Sequence, residues 1–256
     1  NVSICGTGDS VGGIAGYVYT MSSIRTSAVI SSSVSGFSFV GGIAGDIYSH
    51  STSNIIFSNC LVGNSTVVGS SSSVGGITGS GGNIANCHVS SCNVRGLSSV
   101  GGITSDVHSY EIVSNCSVVG GSVSGTSSVG GIASSISGSN CYIRNCIALV
   151  PSISADDMTS YRIANSSTEK LLQNNYAWVA MVNSSGKMFS DSLGKTKVNG
   201  ESVSASEFWN QQSFFKNKLG WDFENTWCMV SGNDIYKLPV LQYPTSSFIC
   251  DASYLF

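Results

Sequence analysis

At 256 residues, with 41% hydrophobic content, 10% charged residues and a net charge of −3, the chain suits one elongated domain with a terminal cap. Serine, glycine, asparagine and threonine do the solvating that charge usually does. No Lys/Arg cluster supplies a footprint for nucleic acid, and no apolar run approaches the roughly 18 residues that signal a membrane span.

One hexapeptide recurs along the first part of the chain. VGGIAG stands at Val11–Gly16 and Val40–Gly45, VGGITG at Val74–Gly79, VGGITS at Val100–Ser105 and VGGIAS at Val129–Ser134, at steps of 29, 34, 26 and 29 residues. Periods of this size mark stacked-repeat architectures. An upstream frame repeats with it. A lead position (Ile24, Phe57, Ile84, Val113, Ile143) is followed by Ser27, Cys60, Cys87, Cys116 and Cys146. Then come Val29, Val62, Val89, Val118 and Ala148, and after those Val34, Val67, Val94, Val123 and Ile153.

Cys-x-Val alternation is a strand signal, and β-branched residues suit a pleated, half-buried surface. The paired glycines read as corners whose backbone angles are closed to other residues. One such unit cannot bury its own apolar edge. Stacking the copies about 4.8 Å apart yields a single narrow core, roughly 29 Å long for six coils. The expected fold is all-β: a β-solenoid (β-helix) of about five to six coils over residues 1–150, its hand undetermined. Residues 151–256 are expected to form an aromatic-rich C-terminal cap continuing the solenoid. Because Cys5 lies so close to Val11, the first repeat reads as truncated and the chain as a segment of a longer protein.

Between the hexapeptides lie inserts of variable length: Tyr17–Ser23, Asp46–Ile56, Ser80–Asn83, Asp106–Ile112 and Ser135–Tyr142. They carry Tyr17, Tyr19, Tyr48, His50, His108 and Tyr110, the candidate binding residues. Insertions in repeat proteins collect on one face, often the binding face, and tyrosine with serine and asparagine suits adaptable contacts. The plainer reading is a solvated loop.

The repeat-region cysteines read as a ladder of buried thiols acting as small apolar residues, with disulfides between coils as the alternative. Cys92, Cys141 and Cys5 fall off that ladder. Cys228 and Cys250 are candidates for a bridge within the tail, and the odd total of nine leaves at least one thiol unpaired within the chain. Sequons occur at Asn1, Asn64, Asn115, Asn165 and Asn183. Asn115, flanking inward Cys116, is expected to point outward, which permits a glycan.

Little in the repeats suggests catalysis. Their carboxylates are Asp9, Asp46, Asp106 and Glu111, whereas polysaccharide lyases and hydrolases need clustered acids. Asp46 and Asp106 hold equivalent positions two coils apart, about 10 Å by coil rise, and read as turn aspartates with Ser80 between them. His50, His88 and His108 carry no HExxH pattern and no Cys-x-x-Cys exists, so neither a metal nor any other cofactor is expected. His88, beside Cys87 at an outward position, is expected to be exposed. Gly6–Gly13 (GTGDSVGG) precedes a repeat corner rather than a helix, so it fails as a phosphate loop or nucleophile turn.

After residue 151 the composition changes. All four tryptophans, ten of fourteen acidic residues and eight of eleven basic ones lie there. Ser204–Gly220 suggests a short helix with Phe208, Trp209, Phe214, Phe215 and Leu219 on one face, and Trp221–Trp227 and Lys237–Gln242 suggest strands around turns. A terminal unit covering the last open coil is the leading reading. An aromatic sugar platform of Trp221, Trp227 and Asp222 is its rival.

The VGGI-x-G blocks, with their upstream Asn-Cys-x-Val and Val-x-Gly, resemble the GLUG motif. NCIALVPSIS at Asn145–Ser154, NNYAW at Asn174–Trp178 and LGWDFENTW through LPVL at Leu219–Leu241 resemble the ending common in GLUG-repeat surface proteins. The resemblance covers nearly the whole chain; Ser105 and Ser134 depart from it by replacing the final glycine. It implies a secreted or surface-attached protein, either adhesin-like or an accessory region of an immunoglobulin-A peptidase, with no catalytic residues in the repeats. The expected function is therefore a non-catalytic extracellular or cell-surface solenoid, serving adhesion or acting as a structural stalk or self-assembling fibre subunit. Its partners would be copies of itself, or host or matrix glycans and proteins. The alternatives are a polysaccharide-binding or polysaccharide-active β-helix module, and a spacer in a large secreted peptidase.

Overall fold

The computed structural model describes residues 2–19, 22–47, 56–166, 168–229 and 238–243. They form a β-solenoid whose strands stack in parallel, with equivalent residues in register. The leading sheet has six strands, from Ser23–Arg25 to Leu172–Gln173, and aligns Ile24, Phe57, Ile84, Val113 and Ile143. The next sheet, called here the covered sheet, has seven strands, from Ala28–Ile30 to Glu201–Val203, and stacks Val29, Val62, Val89, Val118 and Ala148. A serine-rich sheet of six strands stacks Val34, Val67, Val94, Val123 and Ile153. Six more strands stack the Val-Gly pairs, and shorter sheets beyond them lead into the inserts. The expectation of five to six coils was short by about one, because strands at Ser160–Tyr161, Tyr176–Trp178 and Glu201–Val203 extend the stack.

The corners explain the Asn-Cys pairs. Asn59, Asn86, Asn115, Asn145 and Asn174 all have φ near +55°, a region that asparagine tolerates better than most residues. Four of their side chains also bond in two pairs: Asn115 Nδ2 donates to Asn86 Oδ1 at 3.1 Å, and Asn174 Nδ2 to Asn145 Oδ1 at 2.9 Å. The next residue points inward. Cys60, Cys87, Cys116 and Cys146 are wholly buried without disulfides, and each thiol donates to the carbonyl two residues earlier, at 3.2 to 3.5 Å. Ser27 makes the same bond to Arg25 O. Cys92 is not an outlier after all, because it occupies the second corner as Ser32 and Ser65 do and bonds the carbonyl of Ser90. These cysteines thus serve as small side chains with a weak donor as well as apolar filling.

Burial and the neighbouring thiols of Cys146 and Cys87 hold the Cys116 thiol above the usual range. A hydrogen bond with Cys87, reinforced by burial, does the same for Cys60. At Cys87 burial pushes the same way, but hydrogen bonds with Cys116 and Cys60 hold that thiol below the usual range. Inaccessibility and not ionisation therefore protects the ladder as a whole: a thiol reagent is expected to leave these wholly buried cysteines unmodified in the folded protein while labelling exposed Cys5. Peptide mapping after alkylation checks this; labelling of Cys87 or Cys116 at the rate of Cys5 would contradict it.

The paired glycines serve a different purpose from the one expected. None of those in the hexapeptides has a positive φ; the left-handed corners before them are held by Ser10, Phe39, Ser73, Ser99 and Ser128. Space is what excludes a side chain. A Cβ on Gly41 would strike the carbonyl of Ala44, and one on Gly42 would strike that of Gly76 in the next coil.

Register exposes a sixth, disguised copy of the hexapeptide. Ser160 and Tyr161 pair with Val129 and Gly130, so Arg162 follows Gly131 in the column and Ile163 follows Ile132. Arg162 is fully buried. Its Nε donates to Asn199 O at 2.7 Å, Nη1 to Trp178 O at 3.1 Å, and Nη2 to Gly200 O and Ser202 Oγ, both at 3.1 Å. Burial lowers its pKa to about 10, so it remains cationic at neutral pH. Beyond it Met181 and Val198 close the end of the core.

The tryptophan-rich segment does not cover that end. It folds back along the outer side of the covered sheet, where Phe208, Phe214, Phe215, Leu219, Trp221 and Trp227 bury Leu61, Val119, Ile147 and Leu149. The single expected helix is instead a four-residue turn at Ala205–Phe208 and a π-turn at Phe214–Lys218. Trp227–Met229 pairs antiparallel with Pro239–Leu241. Trp221 Nε1 donates to Asn145 O at 3.0 Å, and Asn174 Nδ2 donates to Lys218 O at 2.6 Å, so the asparagine corners anchor the cover.

Candidate functional site

The inserts all emerge along one edge of the solenoid, where stacking fixes their spacing. Tyr17 lies on the strand Ala15–Val18, in register with Asp46. Farther along the same column Asp106 pairs with Ser135, and Ser135 with Asn165. Tyr17 and Tyr19 are 40% and 65% exposed, with ring centroids 5.0 Å apart. Tyr110 is 54% exposed at an insert tip with φ +68°, and its N–H donates to Ser139 O in the next insert. His108 is exposed beside it. The structure therefore brings Tyr110 and His108 together and sets the Tyr17–Tyr19 pair about 14 Å away, three coils along the same edge. Tyr48 and His50 lie outside the described residues, as does Cys250; Cys228 is a half-buried free thiol.

The carboxylates along this edge are committed to local structure. Asp46 Oδ1 accepts the Ile47 N–H at 2.7 Å, and Asp106 Oδ1 accepts from Ser135 Oγ at 2.7 Å and Ser134 Oγ at 3.3 Å. Ser134 and Ser105, the departures from the final glycine, lie buried within regular strands. Glu111 is buried against Gly81 and accepts the His108 N–H at 2.8 Å, filling the notch left by the short insert Ser80–Asn83. Among the described residues no group of three His, Cys, Asp or Glu is arranged to hold a metal.

An open cleft of about 700 Å³ occupies the far end of the edge, lined by Ser139, Asn140, Tyr142, Lys170, Gln173 and Thr196 among others. Sequence reasoning missed it. Ser139, Asn140 and Tyr142 do lie in a variable insert, but the opposite wall, Lys170, Gln173 and Thr196, comes from beyond residue 151, where no repeat marks its register. The lining offers hydroxyls, amides, one ring and one cation, which is chemistry suited to hydroxyl-rich ligands.

Two expectations are overturned on the covered sheet. His88 is only 2% exposed rather than solvated, because the C-terminal segment lies over its strand. Its Nδ1 is 2.6 Å from Ser117 Oγ, and burial lowers its pKa to about 4. The sugar platform also fails: Trp221 and Trp227 stack on each other at 4.1 Å and are 2% and 0% exposed, leaving no face for a ligand.

No protein-family model and no curated protein matches the sequence. Among solved structures, the chain is similar to a candidate immunoglobulin A1 protease from Bacteroides ovatus, with a TM-score of 0.70 and 22% identity over 95% of this chain and 75% of that one. At that identity the likeness establishes a shared fold. Among the described residues no helix is long and apolar enough to cross a membrane.

Proposed function

We propose that this chain is a non-catalytic, extracellular or cell-surface β-solenoid of the GLUG-repeat type that serves adhesion, with its insert edge as the contact surface. The observation that carries the reading is the exposed Tyr17–Tyr19 pair on the edge that also bears Tyr110, His108 and the cleft at Tyr142. Aromatic rings set among hydroxyls and amides suit glycans or host and matrix proteins, and the stacked core holds them at fixed spacing. Binding to a glycan array and a panel of matrix proteins tests it. The double variant Tyr17→Ser, Tyr19→Ser is expected to lose about tenfold or more in affinity, as two desolvated aromatic contacts would contribute, with an unchanged circular dichroism spectrum. Full binding by that variant would sink the edge as the contact surface. Electron micrographs showing only short separate rods would remove the fibre form of this reading.

The fold likeness to the Bacteroides ovatus protein favours a second reading, a non-catalytic module of a larger secreted peptidase. The full open reading frame would distinguish the two: a peptidase domain within it supports the second.

A further inference from the structure

The C-terminal segment covers its sheet through an interface that buries polar groups. Beneath it, beside Leu61, Val119, Ile147 and Leu149, lie His88, Ser90 and Ser117, all at most 2% exposed. The His88 ring meets Trp227 edge-on, with centroids 6.2 Å apart at 87°. Ser90 Oγ and Trp227 Nε1 are buried with no hydrogen-bond partner. Unpartnered buried groups cost free energy that a purely apolar seam would keep. The flanking strands present Leu61 and Ser117 beside His88; the covering strand presents Trp227 and carries the titratable Cys228. No charged side chain among the described residues compensates the imidazole.

We propose that the C-terminal segment, residues 204–229 and 238–241, is an acid-released cover: protonation of His88 lifts it from the sheet and bares the strip Leu61, Val119, Ile147 and Leu149 while the coils persist. An imidazolium under Trp227 would be desolvated with no counter-charge, whereas opening returns it to water. The covered ring titrates at about 4 and the ordinary value is 6.5. Between these limits the open form binds more protons, so each unit of acidification favours opening by up to about tenfold. The contribution of neutral His88 to closure is complete above the upper limit and lost below the lower one. The coil interior is built of apolar columns with buried thiols, Thr78, Thr104 and Arg162, holds no histidine among the described residues, and is expected to feel no such change.

Hydrogen exchange of the full chain, corrected for intrinsic rates, tests this between pH 7.5 and pH 4.5. Exchange across residues 221–229 is expected to rise about 100-fold, with the strands of Val62, Val89 and Val118 unchanged. The His88→Gln protein is expected to lose that rise. Unaltered protection, simultaneous loss in cover and coils, or a persisting response in His88→Gln would each overturn the proposal. Should His88→Gln fail to fold, an NMR titration of His88 in the unmodified protein decides: its midpoint must coincide with opening, and ordinary titration with the cover closed refutes it.

Discussion

Restoring the repeat's own glycine with Arg162→Gly is expected to destabilise the protein by about 3–5 kcal/mol, although the five preceding copies carry glycine there. In the interior copies glycine is required because the next coil's carbonyl occupies the place of a Cβ, as Gly131 shows against Arg162 O. After the last hexapeptide that obstacle ends, and a side chain is free to close the core. Removing the guanidinium strips charged donors from Trp178 O, Asn199 O and Gly200 O and opens a void beside Ile163. Arg162→Lys is expected to recover only part of the loss, since one ammonium cannot reproduce the planar fork. Denaturant titration measures the effect, with hydrogen exchange at Ile163 and Ala164, whose amides bond Val198 O, locating it. A stability equal to the parent would show that the arginine fills space without closing the end.

The second large effect is expected from Gly102→Ala, at about 3 kcal/mol or more. The added methyl would strike Gly131 O, with Val118 Cγ2 only 2.9 Å away, so two stacked coils would have to separate. Gly8→Ala is the matched control: nothing lies within 4 Å of its Cβ position and its φ is not positive, so a change within about 0.5 kcal/mol is expected. Thermal melts of the pair separate steric exclusion from the general entropy cost of glycine. Equal losses at both sites would show that interior spacing is not what selects glycine at the hexapeptide.

The inward columns were legible in the sequence because each is written five times at one frame, and a pleated strand translates alternation directly into facing. The asparagine corners were legible as a pattern, but not as amides bonded in pairs from coil to coil. Glycine was read correctly as indispensable and wrongly as a torsional device. A sequence shows which residue recurs and not which carbonyl comes to lie against it.

What the sequence determined by itself, then, is the coil: valine, isoleucine and cysteine columns with one means of burial, stacking on their own copies. Contacts between neighbouring copies fall at a nearly constant separation, so periodicity encodes them. Tertiary structure alone decided what covers the outside. Trp221 reaches Asn145 across 76 residues, and the outward residues it helps enclose, His88 among them, look locally like any solvated strand position. Burial there depends on a segment without repeats, whose apolar area is satisfied by whichever sheet it meets.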